Sequence, residues 1–107
     1  MIKNKIIYEM QAGLCKALSH PLRIEVIDIL RDGELCFTDI LEKTGGLKSN
    51  LSQHLSVMTR SSLLKVRREG QCNYYSLASP KVTEACSLMH ELLGEHLKNQ
   101  RNILDLV

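Results

Sequence analysis

The stretch from Cys36 to Leu63 constrains this chain more than any other. It reads as two short helices joined by a tight turn at Gly45-Gly46. In the second helix Leu51, Leu55 and Met58 recur at spacings of four and three, so one face can be anchored in a core. Ser49, Asn50, Ser52, Gln53 and His54 place hydrogen-bonding groups near its start. A helix fixed on one side and polar on the other meets the requirement for entering the DNA major groove.

The flanking segments read as support. Ile7, Met10, Leu14, Ala17 and Leu18 form a helical stripe over residues 4–18, broken by Ser19-His20-Pro21. Proline suits the first position of a new helix. A second helix is therefore expected from Pro21 to about Arg31, with Leu22, Val26, Ile29 and Leu30 facing the core and Asp32-Gly33 as its stop. Glu34-Leu35 bridges into the central stretch, where Thr38 or Asp39 stands near the start of a helix ending around Thr44. Ser49 is the expected N-cap of the next helix. After Leu63 the period changes to two. Leu64-Lys65-Val66-Arg67 and Asn73-Tyr74-Tyr75-Ser76-Leu77 flank the turn Glu69-Gly70-Gln71-Cys72, which predicts a β-hairpin. A hairpin directly after a reading helix is a wing that can lie along the phosphate backbone. Ser79-Pro80 repeats the cap-and-proline signal and opens a last helix striped by Val82, Ala85, Cys86, Met89, Leu93 and Leu97. For residues 98–107 a continued helix and a frayed end both stay open.

The expected fold is mainly α with a small β-hairpin: a winged helix-turn-helix forming one domain over residues 1–107. Its DNA-binding core spans residues 19–78. The helices over 4–18 and 80–97 carry stripes that the core does not need, so they can meet a second copy. An aromatic content of 4%, with no Trp and one Phe, leaves an aliphatic core that gains from such pairing. A homodimer also sets two reading helices roughly 34 Å apart, one DNA turn.

Net charge is only +2, but its distribution is uneven. Residues 1–47 hold six basic and seven acidic residues, and residues 72–107 hold three and four. Residues 48–71 hold Lys48, Arg60, Lys65, Arg67 and Arg68 against Glu69 alone. The positive excess thus sits in one segment, the electrostatic footprint of a polyanion partner. No apolar run reaches membrane-span length, and the N-terminus lacks signal-peptide features, so a cytoplasmic protein without a membrane partner is expected. There is no nucleophile elbow, phosphate-binding glycine loop or H-E-x-x-H, so an enzyme is not expected. Cys15, Cys36, Cys72 and Cys86 are scattered, with no C-x-x-C pair, and no structural disulfide framework is expected.

Several motifs, together and in order, resemble those of the ArsR/SmtB metal-sensing repressors. Ala17-Leu18-Ser19-His20-Pro21-Leu22-Arg23 is similar to the family's opening A-L-x-[DH]-P-x-R. Gly33-Glu34-Leu35-Cys36 is similar to its G-E-L-C, and Leu51-Ser52-Gln53-His54-Leu55 to its S-x-H-L core. Arg67-Arg68-Glu69-Gly70-Gln71 with Tyr74-Tyr75-Ser76-Leu77 resembles its wing. The resemblance spans about residues 14–97. It implies a winged-helix homodimer that binds double-stranded operator DNA, represses transcription and loses DNA affinity when an inducer binds. No cofactor is implied for DNA binding itself.

On this reading Asn50, Gln53 and His54 contact bases or phosphates, with Ser49 and Ser52 beside them. Lys48, Arg60, Arg67, Arg68 and Gln71 are backbone-contact candidates that position without specifying. The family's C-x-C metal pair falls at Cys36 and Thr38, so its second thiol is missing. A further family metal site falls at Ser79, Lys81, Leu92 and Glu95, where only Glu95 keeps its ligand and a lysine ammonium has no lone pair to give. His90 and His96 lie six residues apart and read as solvated. Sensing therefore rests on Cys15, Cys36, Cys86 and Cys72. Arsenite or another thiophilic ion is the expected inducer, bridged by Cys15 with Cys86 or with Cys36. A thiol redox or reactive-sulfur sensor without metal is the alternative. A winged helix used only for protein contacts is a third reading, and a set of four inert cysteines stands beside them all.

Overall fold

The computed structural model describes residues 4–105. Helix α1 (Lys5–Ala17) opens on Asn4, whose side chain accepts from the Ile6 N–H at 3.0 Å. Ser19-His20 ends it, and Pro21 is the first residue of α2 (Pro21–Ile29). His20 caps that helix with its ring, Nδ1 accepting from the Leu22 N–H at 3.1 Å. Helix α2 stops two residues before the expected Arg31, and Gly33 then takes a φ of +140° that suits only glycine.

Strand β1 (Leu35–Cys36) is short, and nothing in its sequence announced it. Helix α3 (Phe37–Thr44) follows at once, with Cys36 as its N-cap. Gly45 ends α3 in the left-handed region at φ +69°, its N–H bonded to the Leu41 carbonyl at 2.9 Å. Helix α4 (Lys48–Arg60) starts one residue before Ser49, and its N-cap is Leu47, which has no side-chain oxygen to offer. The N-cap expected at Ser49 is therefore corrected: the Gly-Gly turn is short enough that Ser49 is already inside the helix.

Strands β2 (Leu64–Glu69) and β3 (Cys72–Leu77) form the expected hairpin, in register from Leu64 opposite Leu77 to Glu69 opposite Cys72. The other edge of β3 pairs with β1, giving an antiparallel sheet of order β1-β3-β2 with Leu35 opposite Tyr75 and Cys36 opposite Tyr74. Ser79 Oγ accepts from the Lys81 N–H at 3.2 Å and starts α5 (Pro80–Asp105). That helix runs on past Leu97, and of the open end only residues 106–107 lie outside the described part.

The core gathers Val26, Ile27 and Leu30 of α2, Ile40 of α3, Leu51, Leu55 and Met58 of α4, and Leu63 and Leu64 at the sheet. Ile27 takes the fully buried place that the sequence assigned to Ile29, which is only partly covered. Of α1 only Ala17 is buried. Val82 and Cys86 seat the start of α5 on the core, while Leu88, Met89, Leu92, Leu93 and Leu97 stay exposed.

Candidate nucleic-acid interface

Helix α4 presents a polar surface opposite a buried face. Leu51, Leu55 and Met58 are fully buried and fix its inner face. Lys48, Ser49, Asn50, Ser52, Gln53, Ser56 and Arg60 are exposed. Helical spacing aligns Ser49, Gln53, Ser56 and Arg60 along the ridge opposite the buried side, with Ser52 and Asn50 on its flanks. Ser56 was missed in the sequence, although it lies three residues beyond Gln53 and seven beyond Ser49.

His54 is placed elsewhere. The residue is only 8% exposed, midway along α4. Arg23 Nε donates to His54 Nδ1 at 3.0 Å, and Arg23 Nη1 donates to the Ala17 carbonyl at 3.2 Å. The His20 ring packs on the His54 ring with centroids 4.1 Å apart. Burial first, then the neighbouring His20 and Arg23, holds the His54 pKa below the ordinary histidine value. A neutral imidazole is what an Nδ1 acceptor requires. In this arrangement His54 joins α2 to α4, buried and bonded to Arg23.

The wing holds its two arginines differently. Arg67 grips Glu34 with two bonds, Nη2 to Oε1 at 2.6 Å and Nε to Oε2 at 3.2 Å. Its Nη1 reaches Glu69 at 2.6 Å, and its guanidinium lies over the Tyr74 ring, 4.7 Å from the centroid. The hydrogen bonds to Glu34 and then Glu69 push the Arg67 pKa further up, and the bond to Arg67 pulls that of Glu34 down. Two carboxylates thus neutralise Arg67, which ties β2 to the residue before β1. Arg68 projects from the opposite face and makes one bond, to Asn73 Oδ1 at 3.3 Å. Among the described residues, Lys48, Arg60, Lys65 and Arg68 form no ion pair. They carry unpaired positive charge at the two ends of α4 and along the wing, and Gln71 is exposed at the wing tip.

A model of bacterial regulatory proteins of the arsR family matches residues 20–66. An HTH-type transcriptional regulator of Mycobacterium tuberculosis, Rv0081, is 30% identical over 105 residues, covering 97% of this chain and 92% of its own. The chain belongs to the ArsR family. The Rv0081 crystal structure superposes with a TM-score of 0.78 over 88% of this chain and 95% of that one. The homodimeric winged helix-turn-helix DNA-binding domain Mb0332 of Mycobacterium bovis gives 0.80 at 28% identity, covering 92% and 93%. The arsenical resistance operon repressor of Staphylococcus xylosus is 34% identical over 70 residues, 65% of this chain and 67% of its own. As an ArsR-family protein the chain is a DNA-binding transcriptional regulator of winged helix-turn-helix fold, a class without enzymatic activity. No helix among its described residues is long and apolar enough to cross a membrane.

The four cysteines are all free thiols. Cys15 is exposed on α1, and Cys86 is half-buried against the core, where burial pushes its thiol pKa up. Cys36 Sγ lies 3.1 Å from Thr38 Oγ1 and donates to Asp39 Oδ2 at 3.1 Å. Cys72 opens β3 and is exposed. Among the described residues no three His, Cys, Asp or Glu side chains converge as metal ligands do. At the family's α5 positions Lys81 and Leu92 are exposed and offer no donor, and His96 is engaged with Gln100 at 3.0 Å.

Proposed function

We propose that this chain is a homodimeric, cytoplasmic repressor that reads a two-fold operator with α4 and is released by a thiol-directed signal. The observation that carries this reading is the polar ridge of α4, opposed by a fully buried face and bordered by cations with no carboxylate partner. Gln53 and Asn50 are the base-reading residues, since their amides pair in bidentate fashion with adenine. Ser49, Ser52 and Ser56 accept or donate to bases and phosphates. Lys48, Arg60, Lys65, Arg68 and Gln71 hold the phosphate backbone. Residues 19–78 form the DNA-binding core. The helices over 4–18 and 80–97 pair with those of the second copy, as their uncovered apolar residues and the homodimeric Mb0332 domain support.

For the signal, the likeness to an arsenical repressor favours a thiophilic ion. Cys15, Cys36, Cys86 and Cys72 are the thiols available to such an ion, from one protomer or from both. The redox alternative needs only two thiols near each other and is taken up below. The basic surface leaves little room for a winged helix devoted to protein contacts.

The test is selection of binding duplexes from a random-sequence pool, followed by fluorescence anisotropy across a salt series. The expected result is an enriched pair of half-sites one helical turn apart, with affinity falling steeply as salt rises. Absence of any enriched duplex, together with affinity indifferent to salt, overturns the reading.

A further inference from the structure

Pairing of β1 with β3 places two cysteines on one face of the sheet. Cys36 lies opposite Tyr74, and Cys72 is two residues from Tyr74 along the same strand. Side chains alternate along a strand, so Cys36, Tyr74 and Cys72 point the same way, and the two cysteines are diagonal neighbours. Both also border a cleft of about 300 Å³ between the wing and the starts of α3 and α4, which takes Thr38, Lys48, Ser52 and Gln71 together with Asn73 and Tyr75 from the alternate face of β3. Cys72 first, then burial, then Cys36 holds the Tyr74 phenol above its ordinary pKa, so both sulfurs bear on one ring. Thirty-six positions apart in the chain, the two cysteines are brought together by the pairing of β1 with β3.

From this we infer that Cys36 and Cys72 form a modification site: a dithiol that peroxide-class oxidants convert to a disulfide joining β1 to β3 beside the wing tip. The inference rests on the DNA-reading role proposed above and names its regulation. The chemistry divides between the two thiols. Cys72 is exposed and meets the oxidant. Its sulfur attacks the O–O bond of hydrogen peroxide, forming a sulfenic acid and releasing one water. Cys36 then attacks that sulfur while its proton passes to the Asp39 carboxylate already accepting from it. The S–O bond breaks, and the departing hydroxide takes a proton to leave as a second water. Two thiols and one peroxide give one disulfide and two waters, with two electrons passing from sulfur to oxygen. An exposed cysteine beside a resolving thiol is the arrangement that redox sensors use.

Diagonal sheet neighbours have Cα atoms roughly 7–8 Å apart, and a disulfide wants them within roughly 7 Å. Closing the bond therefore draws the base of β3 toward Cys36 and shifts the wing relative to α4. A bond that fitted the reduced geometry would change nothing. One that requires movement changes the DNA surface, and its strain keeps it reducible.

The experiment uses the full chain with Cys15→Ser and Cys86→Ser, so that the pair is the only source of thiols. The protein is treated with hydrogen peroxide, mapped by non-reducing peptide mass spectrometry, and titrated by anisotropy against a mixed-sequence 30-base-pair duplex before oxidation, after it, and after dithiothreitol. The expected result is a Cys36–Cys72 crosslinked peptide, loss of both thiols, and duplex affinity lowered about tenfold or more and restored by reductant. Further substitution Cys72→Ser should remove both crosslink and response while leaving reduced binding intact. Crosslinks only between chains, sulfinic acid on isolated cysteines, or a crosslink without a change in affinity each overturn the inference. Failure of the reduced protein to bind any duplex would instead overturn the DNA-reading role, so the two failures are distinguishable.

Discussion

At the scale of single residues, His54 shows how a polar identity can hide a packing role. It lies three residues after Leu51 and four before Met58, within the apolar stripe, and that spacing was readable from the sequence. What the sequence did not show was Arg23, thirty-one positions away, reaching its Nδ1. The lowered pKa fixes a pH dependence. In the unfolded chain His54 titrates near the ordinary 6.5, and in the fold it binds its proton only at lower pH. Between those two values the unfolded chain holds more protons, so stability is complete above about pH 6.5 and is lost as pH falls through that window. Urea denaturation at pH 7.5 and 5 should show this loss, and His54→Asn, which keeps an acceptor but does not titrate, should flatten it. His54→Ala should cost about 1–3 kcal/mol, because it leaves the Arg23 Nε–H without its partner. Ser62 presents the opposite case. It holds φ at +64° just after α4, where the Leu63 N–H bonds the Met58 carbonyl and the Ser62 N–H bonds the Thr59 carbonyl. Only glycine takes that backbone freely, so Ser62→Gly should raise stability by about 0.5–1 kcal/mol after its greater unfolded entropy is counted, read from the urea midpoint.

At the scale of elements, helices and hairpin were legible because each carries its own period. The Pro signals at Pro21 and Pro80 and the left-handed turn at Gly45 lie where glycine and proline chemistry puts them. Strand β1 was not legible. Two residues have no period, and they form a strand only because the free edge of β3 accepts them. That hidden strand also carries Cys36 to Cys72 and brings Glu34 to Arg67, so what the sequence missed in the fold is what it missed in the wing. The wing's cations divide accordingly. Arg68→Ala should weaken duplex binding across sequences and reduce the slope of log affinity against log salt by about one. Arg67→Ala should change that slope far less, since Glu34 and Glu69 already hold its charge, and should loosen the wing instead. Equal slope changes for the two would show that Arg67 leaves its carboxylates for phosphate. Helix α4 offers a further handle. Its N-cap, Leu47, is 75% exposed and bonds to nothing through its side chain. Leu47→Ser supplies the missing acceptor and should stabilise the protein by about 1 kcal/mol, measured by the same urea midpoint.

At the scale of the whole molecule, one copy is too extended to be complete. Its radius of gyration is 16.6 Å and its longest extent 58 Å, against about 13 Å for the radius of a compact domain of this length. The excess comes from the outer length of α5 and from α1, whose Ile6, Tyr8, Met10 and Leu14 are uncovered. The stripes divide: Ala17, Leu18, Val82 and Cys86 pack on the core, while Met10, Leu14, Met89, Leu93 and Leu97 stay exposed together with Leu88 and Leu92, which the stripe pattern had not singled out. Exposed apolar surface of this kind calls for a partner, and the second copy of the proposed homodimer supplies one. The role of that surface can be separated from folding. Leu93 is exposed and outside the buried core, so Leu93→Glu should leave the circular dichroism of the core near that of the parent. Two carboxylates brought to the two-fold contact would be buried without partners, which costs several kcal/mol. Sedimentation should then show a monomer at concentrations where the parent is a dimer. The salt slope of duplex binding should fall to about half, because each copy contributes its own set of phosphate contacts. A monomer with the full slope would mean that one copy carries all the contacts, and a dimer that survives the charge would place the interface elsewhere than on α5.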